Sequence, residues 1–287
     1  MERSPTAGTT AETGDHADWL AACRRASEGL RRVMADHPTT LERAVETGRG
    51  EGGDQALVID RAAEDAVFVE LDGLHDAGRR FTAVSEERGE VDYGSPEVQV
   101  IIDPIDGSMN AKRGLSNYSL SIAVAEGATM ADVVFAYVHD FGPDEEWRAS
   151  RGQGARLNDA PIDVAPRERR MDGTIEVLGI ESADPRWVAD AAEDLRGSAH
   201  RIRAIGSIAI SLCQVADARF DAMATLRRCR AVDAAAAQLI VREAGGFVAF
   251  TACQTPLGAP LDVLPHSPVI AARTQRGLDE LRALPRA

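Results

Sequence analysis

Lysine is almost missing from this chain of 287 residues, since Lys112 is the single lysine among 32 basic residues. Acidic residues number 46, so the formal net charge is −14. Nucleic acids and anionic membranes bind basic surfaces, and this charge argues against both as main partners. Surplus carboxylates with little lysine indicate a high-salt cytoplasm, where acidic side chains keep the surface hydrated. A GC-rich genome also favours arginine over lysine, so the halophilic interpretation is a hypothesis.

Histidine clusters and long apolar runs are also lacking. The six histidines show no metal-ligand spacing, and the sequence contains no evident Ser–His–Asp or Cys–His set. No apolar run is long enough to span a membrane. Residues 1–14 are polar and lack the apolar centre of a secretory signal, so we expect a disordered tail. We expect a cytoplasmic protein with reduced thiols, mostly in the core, at Cys23, Cys213, Cys229 and Cys253.

The most informative motif is the hexapeptide Asp103-Pro104-Ile105-Asp106-Gly107-Ser108, which follows the apolar stretch 98–102. Divalent cations such as Mg²⁺ prefer carboxylate and carbonyl oxygens. Asp103, the carbonyl of Ile105 and Asp106 are able to supply three oxygens from one tight turn. Asp, Pro and Gly are also ordinary turn formers. The hexapeptide alone therefore leaves a metal site and a plain turn equally open.

Two further acidic segments change that balance. Ser85-Glu86-Glu87 ends a short apolar run, and Asp233 opens a helix-like stretch that closes at Gly245-Gly246. Taken alone, the two glutamates indicate a solvated strand end, and Asp233 indicates a helix N-cap. Together with the hexapeptide, and in this order, the segments form a recognisable set.

The set resembles the Mg²⁺-dependent inositol monophosphatase family, in the superfamily that includes fructose-1,6-bisphosphatases and 3′-phosphoadenosine phosphatases. The resemblance covers about residues 19–284 and rests on five segments: Asp60 with Glu64, 85–87, 103–110, 152–161 and 232–246. It implies an α+β fold, a layered αβαβα sandwich. We expect an N-terminal α+β metal-binding half at 15–168 and a C-terminal α/β half at 169–287.

The resemblance also implies a role for each matching residue. Two or three Mg²⁺ ions would be bound by Glu86, Asp103, the Ile105 carbonyl, Asp106 and Asp233. Glu86 and Ser108 would orient the attacking water, and Asp60 would lie behind the ligands or near a third metal. The substrate would be contacted by Asp106, Gly107, Ser108, Gly206, Ser207 and Arg227.

Departures from the family pattern leave the substrate open. Leu226 stands where a glutamate contacts the inositol ring in well-known members, and Val232 replaces a common tryptophan. The stretch 226–233 looks more like the archaeal branch, whose members often accept both inositol phosphate and fructose bisphosphate. Arg227, Arg228 or Arg230 would then bind a second phosphate, or they belong to a solvated loop.

The implied function is hydrolysis of a sugar or polyol phosphate monoester by metal-activated water, and the resemblance implies a homodimer. One alternative is a nucleotide 3′-phosphatase, for which the three Trp and three Tyr of the chain offer no clear adenine pocket. A second alternative is a non-catalytic, metal-binding regulatory protein. We expect neither nucleic acid nor membrane as a partner.

Apolar periodicity predicts the elements that would hold this site. The predicted strands are 81–84, 98–102, 118–125, 130–138, 146–149, 155–157, 174–179, 220–224 and 269–272. The predicted helices are 18–34, 63–74, 185–195, 208–216 with Ser207 as N-cap, 233–244 and 275–284. The Gly-rich segment 47–54 is predicted to be a mobile loop, and the resemblance implies that it acts as a lid.

Overall fold

A computed structural model describes residues 16–53, 55–162 and 167–284, so the predicted tail at 1–14 lies outside the described residues. The α-helices of the described residues are α1 (Ala17–Asp36), α2 (Thr40–Arg43), α3 (Val58–Asp76), α4 (Ser108–Arg113), α5 (Pro185–Asp190), α6 (Ala192–Ser198), α7 (Ile208–Ala216), α8 (Ala231–Glu243) and α9 (Gln275–Leu281). The strands are β1 (Glu46–Arg49), β2 (Gln55–Leu57), β3 (Thr82–Ser85), β4 (Gly89–Asp92), β5 (Gln99–Asp106), β6 (Ser119–Ala125), β7 (Val133–Asp140), β8 (Glu145–Ser150), β9 (Ala155–Leu157), β10 (Ala160–Pro161), β11 (Arg170–Met171), β12 (Thr174–Glu181), β13 (Ala199–Arg203), β14 (Ala222–Thr225), β15 (Phe247–Phe250) and β16 (Val269–Ala272).

The larger sheet has eight strands in the order β10-β9-β8-β7-β6-β5-β3-β4. Strands β5 to β10 form an antiparallel meander, and the five strands predicted between residues 98 and 157 all lie in it. Strand β3 differs, because it pairs parallel to β5 with Ser85 opposite Ile102. The carboxyl ends of two parallel strands meet at one sheet edge. Glu86 and Asp103, which follow the last pair of residues, therefore lie side by side at this end of the sheet.

The smaller sheet has the order β11-β12-β14-β16-β15, and β13 also pairs with β12. Strand β12 runs parallel to β13 and β14, whereas β16 runs antiparallel to β14 and β15. Its central strands are fully buried, as expected for a sheet covered on both faces.

The two sheets and three helical layers give the predicted αβαβα order, which confirms the α+β fold. Helices α1 and α3 pack on the outer face of the larger sheet, around Trp19, Phe68 and Ile102. Helices α7 and α8 contact both sheets and fill the space between them. Helices α6 and α9 cover the outer face of the smaller sheet, around Leu195 and Leu281.

Several element predictions need correction. The predicted helix at 185–195 is two short helices, which meet at Ala191. The predicted loop at 47–54 belongs to a hairpin of β1 and β2, although residue 54 lies outside the described residues. The predicted strand at 130–138 begins with a 3₁₀ turn at Met130–Asp132. Strands β4, β13 and β15 have no counterpart among the predicted elements.

The cysteines match their prediction. Cys23, Cys213 and Cys229 are buried, Cys253 is partly buried, and all four are free thiols. Within the described ranges, no helix combines the length and the apolar character needed to cross a bilayer.

Candidate active site

The site begins where β5 leaves the larger sheet. The pairing of β5 with β6 shifts between Asp103 and Asp106, so the strand bulges there and both carboxylates are buried. Gly107 follows with φ +94°, and a Cβ on it would approach the carbonyl oxygen of Asn117 to 2.9 Å. Only glycine fits this turn. Helix α4 starts at the next residue, Ser108.

Asp106 connects the turn to the neighbouring helix α7. Its Oδ2 accepts hydrogen bonds from the Ser207 hydroxyl at 2.5 Å and from the backbone N–H of Ala209 at 2.7 Å. The same Ser207 oxygen accepts the N–H of Ile210 at 3.1 Å, which confirms Ser207 as the N-cap of α7. Burial, followed by the nearby Asp233 carboxylate, raises the pKa of Asp106 to about 8.

Glu86 and Asp233 meet across one guanidinium group. Arg230 Nη1 lies 2.6 Å from Glu86 Oε1, and Arg230 Nη2 lies 3.0 Å from Asp233 Oδ1. The backbone N–H of Arg230 also donates to Asp233 Oδ2 at 2.9 Å. Helix α8 begins at Ala231, so Asp233 is its third residue and Arg230 is the N-cap. The N-cap role that Asp233 would have if taken alone is therefore not seen, because its carboxylate accepts the N–H of Arg230, the residue before the helix, rather than N–H groups of the first turn.

The remaining acidic side chains have weaker partners. Asp103 Oδ1 accepts the N–H of Ile105 at 3.0 Å, and burial, with repulsion from Glu86 and Asp106, raises the pKa of Asp103. Asp60, in α3, binds the N–H of Leu57 through Oδ2, but its buried Oδ1 has no hydrogen-bond partner. Burial raises the pKa of Asp60 to about 6.

Two further glutamates support the site: Glu64, which the motif set included without a role, and Glu181, which the motif analysis missed. Glu64 binds the Ser85 hydroxyl and the backbone N–H of Arg88 at 3.1 Å, which fixes the turn that carries Glu86. Glu181, at the end of β12, accepts the N–H groups of residues 205 and 206 at 3.0 Å each and the Ser211 hydroxyl at 2.6 Å. The sequence offers one signal for Glu181, an acidic residue at the end of an apolar strand. Its partners lie 24 to 30 residues further along the chain, so no local motif includes them.

A cavity of about 550 Å³ opens beside these groups. Three residues predicted to bind metal or substrate, Asp106, Gly206 and Asp233, line it together. Its wall also includes Asn110, Glu181 and Arg230. The structure thus brings residues from both halves of the chain to one concave surface.

The three arginines left open by the sequence lie in different places. Arg230 lines the cavity. The guanidinium of Arg227 lies 5.2 Å from the centre of the Trp187 ring and 3.4 Å from Asp190. Arg228 is exposed. In this arrangement Arg230 is the arginine that contacts the acidic cluster.

The β1–β2 hairpin covers the site from the N-terminal side. The N–H of Gly52 donates to the Glu86 carbonyl at 2.8 Å, and the N–H of Glu51 donates to the Glu87 carbonyl at 3.2 Å. A Cβ on Gly52 would lie 2.9 Å from Arg230 Nη1 and 3.2 Å from the carbonyl oxygen of Glu86, so the hairpin is packed tightly against both groups. The segment predicted to be a lid therefore contacts the turn that carries Glu86 and lies next to Arg230.

The donor set suits a hard divalent cation, although the side chains are not arranged around one. Within the described ranges, no group of three or more His, Cys, Asp or Glu is placed to hold a metal ion. Arg230 takes the oxygens of Glu86 and Asp233, and Ser207 takes one of Asp106. Buried carboxylates need a compensating cation, and carboxylate oxygens are the ligands that Mg²⁺ prefers. The orphaned oxygens Asp60 Oδ1 and Glu87 Oε2 add unused acceptors.

Comparison with known sequences agrees with this chemistry. The model of the Inositol monophosphatase family matches residues 16–285. The fructose-1,6-bisphosphatase/inositol-1-monophosphatase of Methanothermobacter thermautotrophicus is 34% identical over 249 residues, which are 83% of this chain and 86% of that protein. The Nus factor SuhB of Escherichia coli is 33% identical over 228 residues, which are 78% of this chain and 82% of that protein.

Solved structures give the same result. An inositol monophosphatase-fructose 1,6 bisphosphatase superposes with a TM-score of 0.78 and 25% identity, covering 93% of this chain and 99% of the other. The extragenic suppressor protein suhB from Bartonella henselae gives a TM-score of 0.76 and 26% identity, covering 93% and 98%. Motifs, fold and relatives thus agree along the chain, which belongs to the inositol monophosphatase family of phosphoric monoester hydrolases.

Proposed function

We propose that this protein hydrolyses a sugar or polyol phosphate monoester with the help of Mg²⁺, and that inositol 1-phosphate and fructose 1,6-bisphosphate are its candidate substrates. One observation carries the proposal: buried carboxylates from both halves of the chain converge on one open cavity. A cluster of this kind is costly for folding unless cations and a ligand use it.

The proposed metal ligands are Glu86, Asp103, the Ile105 carbonyl, Asp106 and Asp233, with Asp60 close behind. Bound Mg²⁺ would lower the pKa of water and neutralise charge on the phosphate. Asp106 is already oriented for this task, because Ser207 and the start of α7 hold its Oδ2. The number of ions, two or three, belongs to the same proposal.

The chain's own groups would position the water and the phosphate ester. Glu86 and the Ser108 hydroxyl are proposed to accept and orient the attacking water, with no covalent phosphoenzyme. Gly107 turns the backbone just before Ser108, and Glu181 accepts the N–H groups of Ile205 and Gly206 at the cavity wall. The substrate's phosphate would then lie between the acidic turn and Gly206-Ser207. We also propose that Arg227 binds the second phosphate when the substrate carries one.

The SuhB relatives favour one alternative, a regulatory protein that keeps the acidic site without turnover. Their similarity of about one third identity matches that of the archaeal phosphatase. Every ligand of the proposed site is present in this chain, which favours the enzyme. The 3′-phosphatase alternative has less support, since none of the described residues around the cavity is aromatic.

Release of inorganic phosphate, measured with Mg²⁺ in molar KCl, tests the proposal. Comparable rates on inositol 1-phosphate and fructose 1,6-bisphosphate would support a dual-specificity enzyme. A strong preference for one would name the substrate. Absence of release from both, with Mg²⁺ still bound, would contradict the proposal and favour the regulatory alternative.

The molecular setting is proposed on the sequence and the resemblance. We propose a homodimer because the family resemblance implies one. We also propose a cytoplasm of high salt concentration, since the net charge is −14 and lysine is nearly absent. Light scattering after size exclusion would measure the mass, and a monomer at working concentration would contradict the homodimer.

A further inference from the structure

One basic side chain lies inside the acidic cluster. Arg230 Nη1 and Nη2 contact Glu86 and Asp233 at 2.6 and 3.0 Å, and the Arg230 side chain is 16% exposed. The contact with Glu86 joins residues 144 positions apart in sequence, so the guanidinium links the N-terminal and C-terminal halves of the site. Charge-assisted contacts of this length are the strong class of hydrogen bond.

The surrounding residues fix the position of the Arg230 guanidinium. The backbone N–H of Arg230 is held by Asp233 Oδ2 at 2.9 Å, which fixes where its side chain starts. Gly52 of the hairpin leaves space for the guanidinium, because a Cβ there would lie 2.9 Å from Arg230 Nη1. The Gly52 N–H donates to the carbonyl of Glu86, so the hairpin, the guanidinium and the carboxylate fit together.

A metal ion and this guanidinium need the same oxygens. Glu86 and Asp233 are two of the proposed metal ligands, and one oxygen of each is already paired with the guanidinium of Arg230. Two cations within a few ångströms repel each other, most strongly where water is scarce. The Arg230 side chain also borders the 550 Å³ cavity, which offers it an open space next to its present position.

We propose that Arg230 is a built-in counter-cation: it holds Glu86 and Asp233 together in the metal-free protein, and incoming Mg²⁺ displaces it toward the cavity. The inference rests on the proposed function for the identity of the metal ligands. Metal binding then includes the cost of breaking two ion pairs, so the apparent affinity for Mg²⁺ is lower than that of the ligands alone. Arg230 acts here as a positioning residue for the ligands.

Mg²⁺ binding to the full-length chain, measured by titration calorimetry without substrate, tests this. We expect Arg230→Gln to bind Mg²⁺ about tenfold more tightly, as if the displaced state were populated about one tenth of the time in the native protein. Arg230→Lys keeps the charge but not the fork, and we expect an affinity between the two. Arg228→Gln, which removes the same charge from an exposed neighbour, should leave the affinity within about twofold.

Thermal unfolding in chelator supplies a second readout. Arg230→Gln should unfold at lower temperature than the native protein without metal, since carboxylates lose their partner, and should gain more from added Mg²⁺. If Arg230→Gln does not fold without metal, Arg230→Lys decides by its affinity. Native or weaker Mg²⁺ affinity in both Arg230 variants would overturn the proposal. Neither readout involves phosphate release, so the inference fails or holds separately from the proposed phosphatase activity.

Discussion

Ser207 shows how one hydroxyl connects the site to the fold. It donates to Asp106 and accepts the N–H of Ile210, so it orients a proposed ligand and caps α7. We expect Ser207→Ala to lower the free energy of unfolding by about 1 kcal/mol, as for other lost N-caps. We also expect kcat for phosphate release to fall by about tenfold or more, because Asp106 loses an orienting partner. Thermal unfolding and phosphate-release kinetics measure the two effects.

A second N-cap provides the control. Thr274 accepts the N–H of Gly277 at 3.0 Å at the start of α9, which packs on the far face of the smaller sheet. Thr274→Ala should lose a similar stability and keep its kcat. Equal losses of kcat in both variants would mean that Ser207 matters only as a cap, contrary to the account.

The sequence predicts single residues well where their partners are close along the chain. Asp103 and Asp106 belong to one hexapeptide, and Ser207 caps the helix it precedes, so all three were accessible to local reasoning. The role of Arg230 was not accessible, because it depends on Glu86, 144 residues away. Glu181 was missed for the same reason, since two helices and strand β13 separate it from its partners at residues 205 and 206.

At the scale of elements, the β1–β2 hairpin contacts the site without carrying any of the proposed ligands. Gly52→Ala places a methyl group 3.2 Å from the backbone carbonyl oxygen of Glu86, which is tighter than an ordinary contact, so the hairpin and the turn that carries Glu86 must move apart slightly. We expect kcat to fall by about tenfold, the size of effect that a small misplacement of a catalytic group causes. The unfolding temperature should change little, because the hairpin is largely exposed.

Gly73→Ala serves as the matched control in a helix away from the site. A Cβ at Gly73 meets no atom within 4 Å, and alanine favours the helix by about 0.5–1 kcal/mol. This variant should keep its kcat and become slightly more stable. Native kcat in Gly52→Ala would show that the hairpin plays no part in catalysis.

Elements with a clear apolar period were predictable, and edge elements were not. Helix α7 and strand β16 match their predicted bounds, since the buried positions of both are apolar apart from Ser211. Strand β13 escaped prediction because it is an exposed edge strand, with the sequence Ala-His-Arg-Ile-Arg and no alternating pattern. The break at Ala191 escaped because the residues on both sides favour helix.

For the whole molecule, the net charge follows directly from the sequence. With net charge −14, we expect self-repulsion to destabilise the fold at low ionic strength. Lowering KCl from about 2 M to about 0.05 M should lower the unfolding temperature by roughly 5 °C, or about 2 kcal/mol. Sucrose at matched osmolality separates screening from solvent exclusion. An unfolding temperature that does not depend on KCl would contradict the high-salt proposal.

The layered architecture followed from the family resemblance, whereas the strand pairing needed the structure. A list of strands does not say that β3 pairs parallel to β5, yet this pairing is what places Glu86 beside Asp103. Helices α7 and α8 likewise carry Ser207 and Asp233 to the same place because they pack between two sheets. The site is therefore a product of the whole fold.

The most direct test of the account is a Mg²⁺ titration of phosphate release, with native protein and Asp106→Asn measured side by side after treatment with chelator. We predict that native protein recovers turnover with Mg²⁺. We predict that Asp106→Asn stays lower by about three orders of magnitude at any Mg²⁺ concentration, since it loses a ligand charge while keeping its shape. Its unfolding temperature should remain close to the native value. Full turnover of Asp106→Asn, or native turnover that persists in chelator, would contradict the account.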